Sequence, residues 1–118
     1  MSEQENPVIA CDLAAIAAAE RDQHALTAQQ LFASVTEVKE LADGYTFRLP
    51  AETLILRSAA DFIANERLCC PFFDFTLKVQ AQGGLWLSLT GSDEVKQFVR
   101  AEFGSLVSGT LSAVFAVS

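Results

Sequence analysis

Between Phe73 and Thr90 the chain alternates apolar and polar side chains twice over, with Gly83-Gly84 between the two runs. Phe73, Phe75, Leu77 and Val79 alternate with Asp74, Thr76, Lys78 and Gln80, and Leu85, Leu87 and Leu89 alternate with Trp86, Ser88 and Thr90. A period of two puts each set on its own face of a strand, and a short glycine link joins two such strands as antiparallel neighbours. A lone hairpin is marginal in water. The rest of the chain must therefore cover this apolar face. Trp86 alternates away from Leu85 and Leu87, which predicts that it lies on the opposite face, at a pocket or an interface.

Residues 35–49 read as a second hairpin. Tyr45, Phe47 and Leu49 alternate with Thr46 and Arg48, Pro50 ends the strand, and Asp43-Gly44 is the expected turn, whose two central positions favour positive φ. Three helices are predicted around the hairpins. The first runs from Leu13 to about Ala33, with Asp12 as a cap and a polar stretch at Arg21-Asp22-Gln23 that reads as a break or an exposed turn within it. It places His24, Ala28, Leu31 and Phe32 on one face. The second, Ala51 to about Leu68, carries Leu54, Ile55, Ala59, Phe62 and Ile63 at helical spacing. It must stop near Cys70, because Pro71 lacks an amide hydrogen and drives its predecessor out of helical geometry. The third is capped by Ser92, carries Val95, Phe98, Val99 and Phe103, and ends at Gly104.

The expected fold is therefore α+β: two hairpins form a four-stranded, mainly antiparallel sheet packed with about three helices, in one domain over residues 1–118. Hydrophobic residues make up 51% of the chain and charged residues 19%, which suffices for a core. Residues 1–8 read as frayed. Residues 105–118 carry no charge, and Leu111, Ala113, Phe115 and Val117 alternate as an extra strand would. An uncharged edge strand needs a partner, and pairing with a second copy in a two-fold dimer is the favoured expectation.

The net charge of −7 repels phosphate backbones and anionic lipid, so neither nucleic acid nor membrane is expected as a partner. The acidic start lacks the basic residues and apolar run of a secretory signal, which points to the cytoplasm. There thiols stay reduced, and the three cysteines read as thiols or metal ligands rather than as a disulfide.

Chemistry concentrates at Cys69-Cys70-Pro71. Thiolates are soft ligands for zinc and copper(I), and the irregular backbone that Pro71 imposes can turn both sulfurs toward one site. The helix C-terminus raises thiol pKa, which disfavours a catalytic thiolate and leaves ligation open. Cys11 and His24, the one histidine, complete a candidate Cys-Cys-Cys-His metal set with Cys69 and Cys70, although the spacing fits no standard zinc finger. Glu66, one turn before the pair, reads as a solvated surface residue, and the phenylalanines read as core. No phosphate loop or nucleophile elbow is present, and the chain reads more as a non-enzyme than as an enzyme.

The segment Asn65-Glu-Arg-Leu-Cys-Cys-Pro-Phe-Phe-Asp-Phe-Thr-Leu, with Leu85-Trp-Leu-Ser-Leu-Thr-Gly, Ala10-Cys-Asp-Leu and Asp43-Gly-Tyr-Thr-Phe-Arg-Leu-Pro, resembles a family of small uncharacterised bacterial proteins with a Glu-Arg-x-Cys-Cys-Pro-Phe motif. The resemblance reaches to about Gly104. It implies Cys11, His24, Glu66, Cys69 and Cys70 as site positions and favours heavy-metal binding. Ala17 departs from it, standing where a proline commonly opens the first helix. The leading functional expectation is thus a zinc or copper(I) protein using Cys69 and Cys70 with Cys11 and His24. The alternative is a structural or interaction module, dimeric, with its cysteines in the core, and a small thiol enzyme is the third.

Overall fold

A computed structural model describes residues 10–107 of the protein. The expected α+β fold is present: α1 (Arg21–Ala33), β1 (Glu37–Leu41), β2 (Gly44–Leu49), α2 (Thr53–Cys69), β3 (Asp74–Val79), β4 (Leu85–Thr90) and α3 (Asp93–Phe103) follow in that order. The strands form one antiparallel sheet in the order β1-β2-β4-β3, so the two hairpins join through β2 and β4. The register aligns the alternations. Val38 lies opposite Phe47, Phe47 opposite Leu87, and Leu87 opposite Leu77, while Tyr45, Leu89 and Phe75 form the next apolar row. A slip of one residue would turn every apolar side chain to the wrong face, so burial of this face specifies the pairing.

The helices supply the cover. Phe32 of α1, Ala59 and Phe62 of α2, and Val95, Val99 and Phe103 of α3 are buried with the apolar face of the sheet. Phe62 is central: its ring centroid lies 5.4 Å from Phe32, 6.0 Å from Phe103 and 6.3 Å from Phe75, each pair packed edge to face. The opposite face of the sheet is polar, and Trp86 lies there as its alternation requires. Lys39 Nζ and the Arg48 guanidinium stand 4.8 and 5.7 Å from the indole.

Three local expectations change. The β1–β2 turn is made by Ala42 and Asp43, because Leu41 pairs with Gly44. Gly44 belongs to β2, where it also pairs with Thr90. A Cβ there would run into the Leu89 carbonyl oxygen and come within 2.9 Å of Thr90 Cα, so close strand approach, not turn conformation, requires glycine. In the other turn Gly83 holds a left-handed conformation, with φ of 89°, which glycine adopts without strain.

The first helix starts late. Asp12 caps a short 3₁₀ turn at Leu13–Ala15, accepting from the Ala14 amide, and a second turn follows at Ala18–Glu20. Arg21 then begins α1, so the polar stretch is the exposed first turn of the helix and the interruption falls just before it. Arg21 Nε donates to the carbonyls of Leu13 and Ile16 at 2.9 and 3.0 Å, tying the irregular segment to the start of α1. On α2, Leu54 is 73% exposed and leaves the expected stripe. The face turned inward runs through Ile55, Ala59 and Phe62, and Leu54 sits one residue, about 100°, away from it.

Among the described residues no helix is long and apolar enough to cross a membrane. The expected frayed start at residues 1–8 and the strand expected over Leu111–Val117 lie outside the described residues.

Candidate metal centre

The last turn of α2 builds the site. Glu66 and Cys69 are three residues apart and share the face that Ala59 and Phe62 direct into the core. Cys69 ends the helix. Cys70 leaves helical geometry (φ −129°, ψ 70°), as a residue before proline must, while its amide still donates to the Glu66 carbonyl at 2.7 Å. This departure brings the sulfur of Cys70 to 3.5 Å from that of Cys69. Both cysteines thus occupy the helix-to-strand junction expected of them, with β3 starting at Asp74.

The N-terminal segment completes the cluster. The Asp12 amide donates to the Cys69 carbonyl at 2.8 Å, which lays residues 11 and 12 along the end of α2. Cys11 and Cys70 are joined by a disulfide with their Cα atoms 4.7 Å apart. The expectation that all three cysteines stay as thiols is therefore corrected. It rested on compartment, whereas packing places these two residues, 59 apart in sequence, side by side. Cys69 remains as the free, buried thiol.

Glu66 corrects a second expectation, since it is 6% exposed rather than solvated. Its Oε1 accepts from the Cys69 thiol at 3.5 Å and lies 2.8 Å from His24 Nε2. The signal was legible in principle: Ala59, Phe62, Glu66 and Cys69 step by three and four, so Glu66 continues the buried stripe. His24 is buried on α1 and stacks on Phe62 with centroids 5.7 Å apart. Its Nδ1 is buried without a hydrogen-bond partner among the described residues.

The ligand atoms of Cys11, Glu66, Cys69 and Cys70 all lie within 4.8 Å of one another. With Cys11 and Cys70 as thiols the cluster has donors that could hold a metal ion; joined as a disulfide they leave Cys69 and Glu66. Of the four sequence-expected ligands it gathers the three cysteines. It adds Glu66 and sets His24 one step behind, bonded to the carboxylate.

Burial raises the Glu66 carboxyl above its ordinary value, against the opposing hydrogen bond from His24. Burial, reinforced by the adjacent Glu66 carboxylate, pushes the Cys69 thiol up to about 12 from an ordinary 9.0. Both shifts favour the neutral forms. In the native, disulfide-bonded protein at pH 8 the thiolate fraction of Cys69 falls by about 10³ relative to the unfolded chain. Iodoacetamide labelling of Cys69, timed by mass spectrometry, is expected to slow by at least that factor against a urea-unfolded control. Rates within tenfold of each other would refute this picture of the site.

No protein family, curated protein or solved structure matches this chain.

Proposed function

We propose that the protein binds a thiophilic metal ion, zinc or copper(I), through Cys11, Cys69 and Cys70 once the Cys11–Cys70 disulfide is reduced, with Glu66 as an oxygen donor. The observation that carries this reading is the convergence of four ligand atoms within 4.8 Å. Tetrahedral zinc with Zn–S bonds near 2.3 Å needs ligand atoms about 3.8 Å apart. Cys69 Sγ already stands 3.5 Å from both Cys70 Sγ and Glu66 Oε1. A bound cation displaces the thiol proton directly, so the high pKa of Cys69 is no obstacle to ligation. His24 would serve as an outer partner that orients the carboxylate. The motif Glu66-Arg67-Leu68-Cys69-Cys70-Pro71-Phe72 supports the reading too, since three cluster residues come from it.

Competition with a chromophoric chelator tests the proposal. The metal-free protein, reduced with a phosphine, is expected to take one equivalent of zinc or copper(I). The disulfide-bonded form is expected to take none. Cys69→Ala is expected to weaken binding by more than about 10²-fold, a scale that outer partners alone can reach. Reduced wild-type protein that takes up neither ion would defeat the proposal.

A second reading is favoured by the disulfide itself. It ties the N-terminal segment to the end of α2 and closes a long loop. On that reading the cysteines are structural, and reduction changes stability without creating a metal site.

A further inference from the structure

We infer that Cys11 is the sulfur through which this cluster exchanges electrons with solvent, that Cys70 is its resolving partner, and that Cys69 stays out of the reaction. The three sulfurs are unequal in access. Cys11 is exposed, whereas Cys69 and Cys70 are 1% and 0% exposed. The segment that carries Cys11 is nonetheless held in place. The Asp12 amide bonds to the Cys69 carbonyl, and Ile16, four residues beyond Asp12, is buried in the core. Of the two bridged residues Cys11 is the exposed one and Cys70 the buried one, so a reagent in solvent meets the bridge from the Cys11 side.

That arrangement suits a peroxide as oxidant. The Cys11 thiolate attacks one peroxide oxygen. The O–O bond breaks, hydroxide leaves, and Cys11 becomes a sulfenic acid. The Cys70 thiolate then attacks the Cys11 sulfur, forming the S–S bond and expelling a second hydroxide. Two thiolates lose two electrons, and the peroxide is reduced to two hydroxides, which take up protons as water. Reduction follows the same entry. A small thiolate attacks the exposed Cys11 sulfur and the electron pair leaves on Cys70. A second thiolate then attacks the outer sulfur of the mixed disulfide and frees Cys11. A peroxide or a thiol would reach Cys70 or Cys69 only through the protein.

Cys69 is close enough to Cys70 to compete, at 3.5 Å. Two features hold it back. A disulfide between adjacent residues closes a small ring around a peptide bond that strongly prefers to be planar and trans. The Cys69 thiol also donates into Glu66 Oε1 and the Glu66 carbonyl, away from solvent. The redox couple is independent of whether a metal binds. If the proposed function holds as well, each oxidation removes two of the cluster's four donors and expels the ion.

The test uses metal-free, phosphine-reduced, full-length protein with a chelator present throughout, so that its outcome is separate from that of the metal titration. After one equivalent of hydrogen peroxide, peptide mapping of the wild type is expected to show the Cys11–Cys70 link, with Cys69 alkylated only after unfolding. With dimedone present, Cys70→Ala is expected to carry the sulfenic-acid adduct on Cys11. Cys11→Ala is expected to consume peroxide at least tenfold more slowly and to show no adduct on Cys70. Should Cys70→Ala fail to fold, wild-type protein given oxidised glutathione supplies the same information, with the transient mixed disulfide expected on Cys11. A Cys69–Cys70 link in the wild type, or first modification at Cys69 or Cys70, would overturn the assignment.

Discussion

Reduction of the Cys11–Cys70 disulfide in the metal-free protein is expected to lower its unfolding free energy by about 4 kcal/mol and its melting temperature by about 15 °C. The size follows from the bridged residues' separation of 59. Cutting that link returns to the unfolded chain the loop-closure entropy of roughly sixty residues, which the chain-entropy relation sets near 4 kcal/mol. The folded state loses little, because other contacts keep residues 11–16 in place. The Asp12 amide still reaches the Cys69 carbonyl, Arg21 still clamps Leu13 and Ile16, and Ile16 stays buried. The effect therefore acts mainly on the unfolded state and is expected in Cys11→Ser as well, a change at an exposed position that removes no core packing.

Metal should reverse the loss. An ion that binds the reduced native state alone, at a thousandfold excess over its dissociation constant, restores about 4 kcal/mol. Melts of the reduced protein with and without zinc thus report on the disulfide and the metal together. A change below about 1 kcal/mol on reduction would show that the bridge does not restrain the unfolded chain. Full loss with no recovery in zinc would favour the structural reading of the cysteines.

Phe62→Ala is expected to cost about 3–5 kcal/mol. Phe62 is fully buried and its ring meets those of Phe32, Phe75 and Phe103, so the side chain joins α1, α2, α3 and the sheet. Truncation removes the transfer energy of the ring and leaves a cavity that four rigid elements cannot close. Phe62→Leu fills most of the space and is expected to lose much less. The same ring stacks on His24, whose Nε2 contacts Glu66. Phe62→Ala should accordingly also loosen the cluster, visible as faster alkylation of Cys69 under conditions where the variant remains folded. Urea titrations measure the stability change. A loss under 1.5 kcal/mol for the alanine variant would mean that the core repacks around the gap and that Phe62 is not its keystone.

The sequence carried the strand faces and the end of α2, which depend on near neighbours. Strand faces were readable from alternation because a period of two is set by backbone geometry, and the sheet keeps those faces: Tyr45, Phe47, Leu85, Leu87 and Leu89 are all buried. The end of α2 was readable because Pro71 removes an amide hydrogen and restricts Cys70, and both effects act within one or two residues. What depends on how elements rotate and dock was not readable. Gly44 looked like a turn residue until the pairing of β2 with β4 showed that its missing Cβ makes room for Leu89. The stripe of α2 could place Glu66 on the inward face, but only the packing of α1 on α2 brought His24 to its oxygen. Cys11 joins Cys70 because a hydrogen bond from Asp12 to Cys69 lays the N-terminal segment against the end of a helix more than fifty residues away in sequence. Residue types named the chemistry available at this site, but only tertiary packing, which sums many weak long-range contacts, decided which groups meet and which of the three cysteines is exposed.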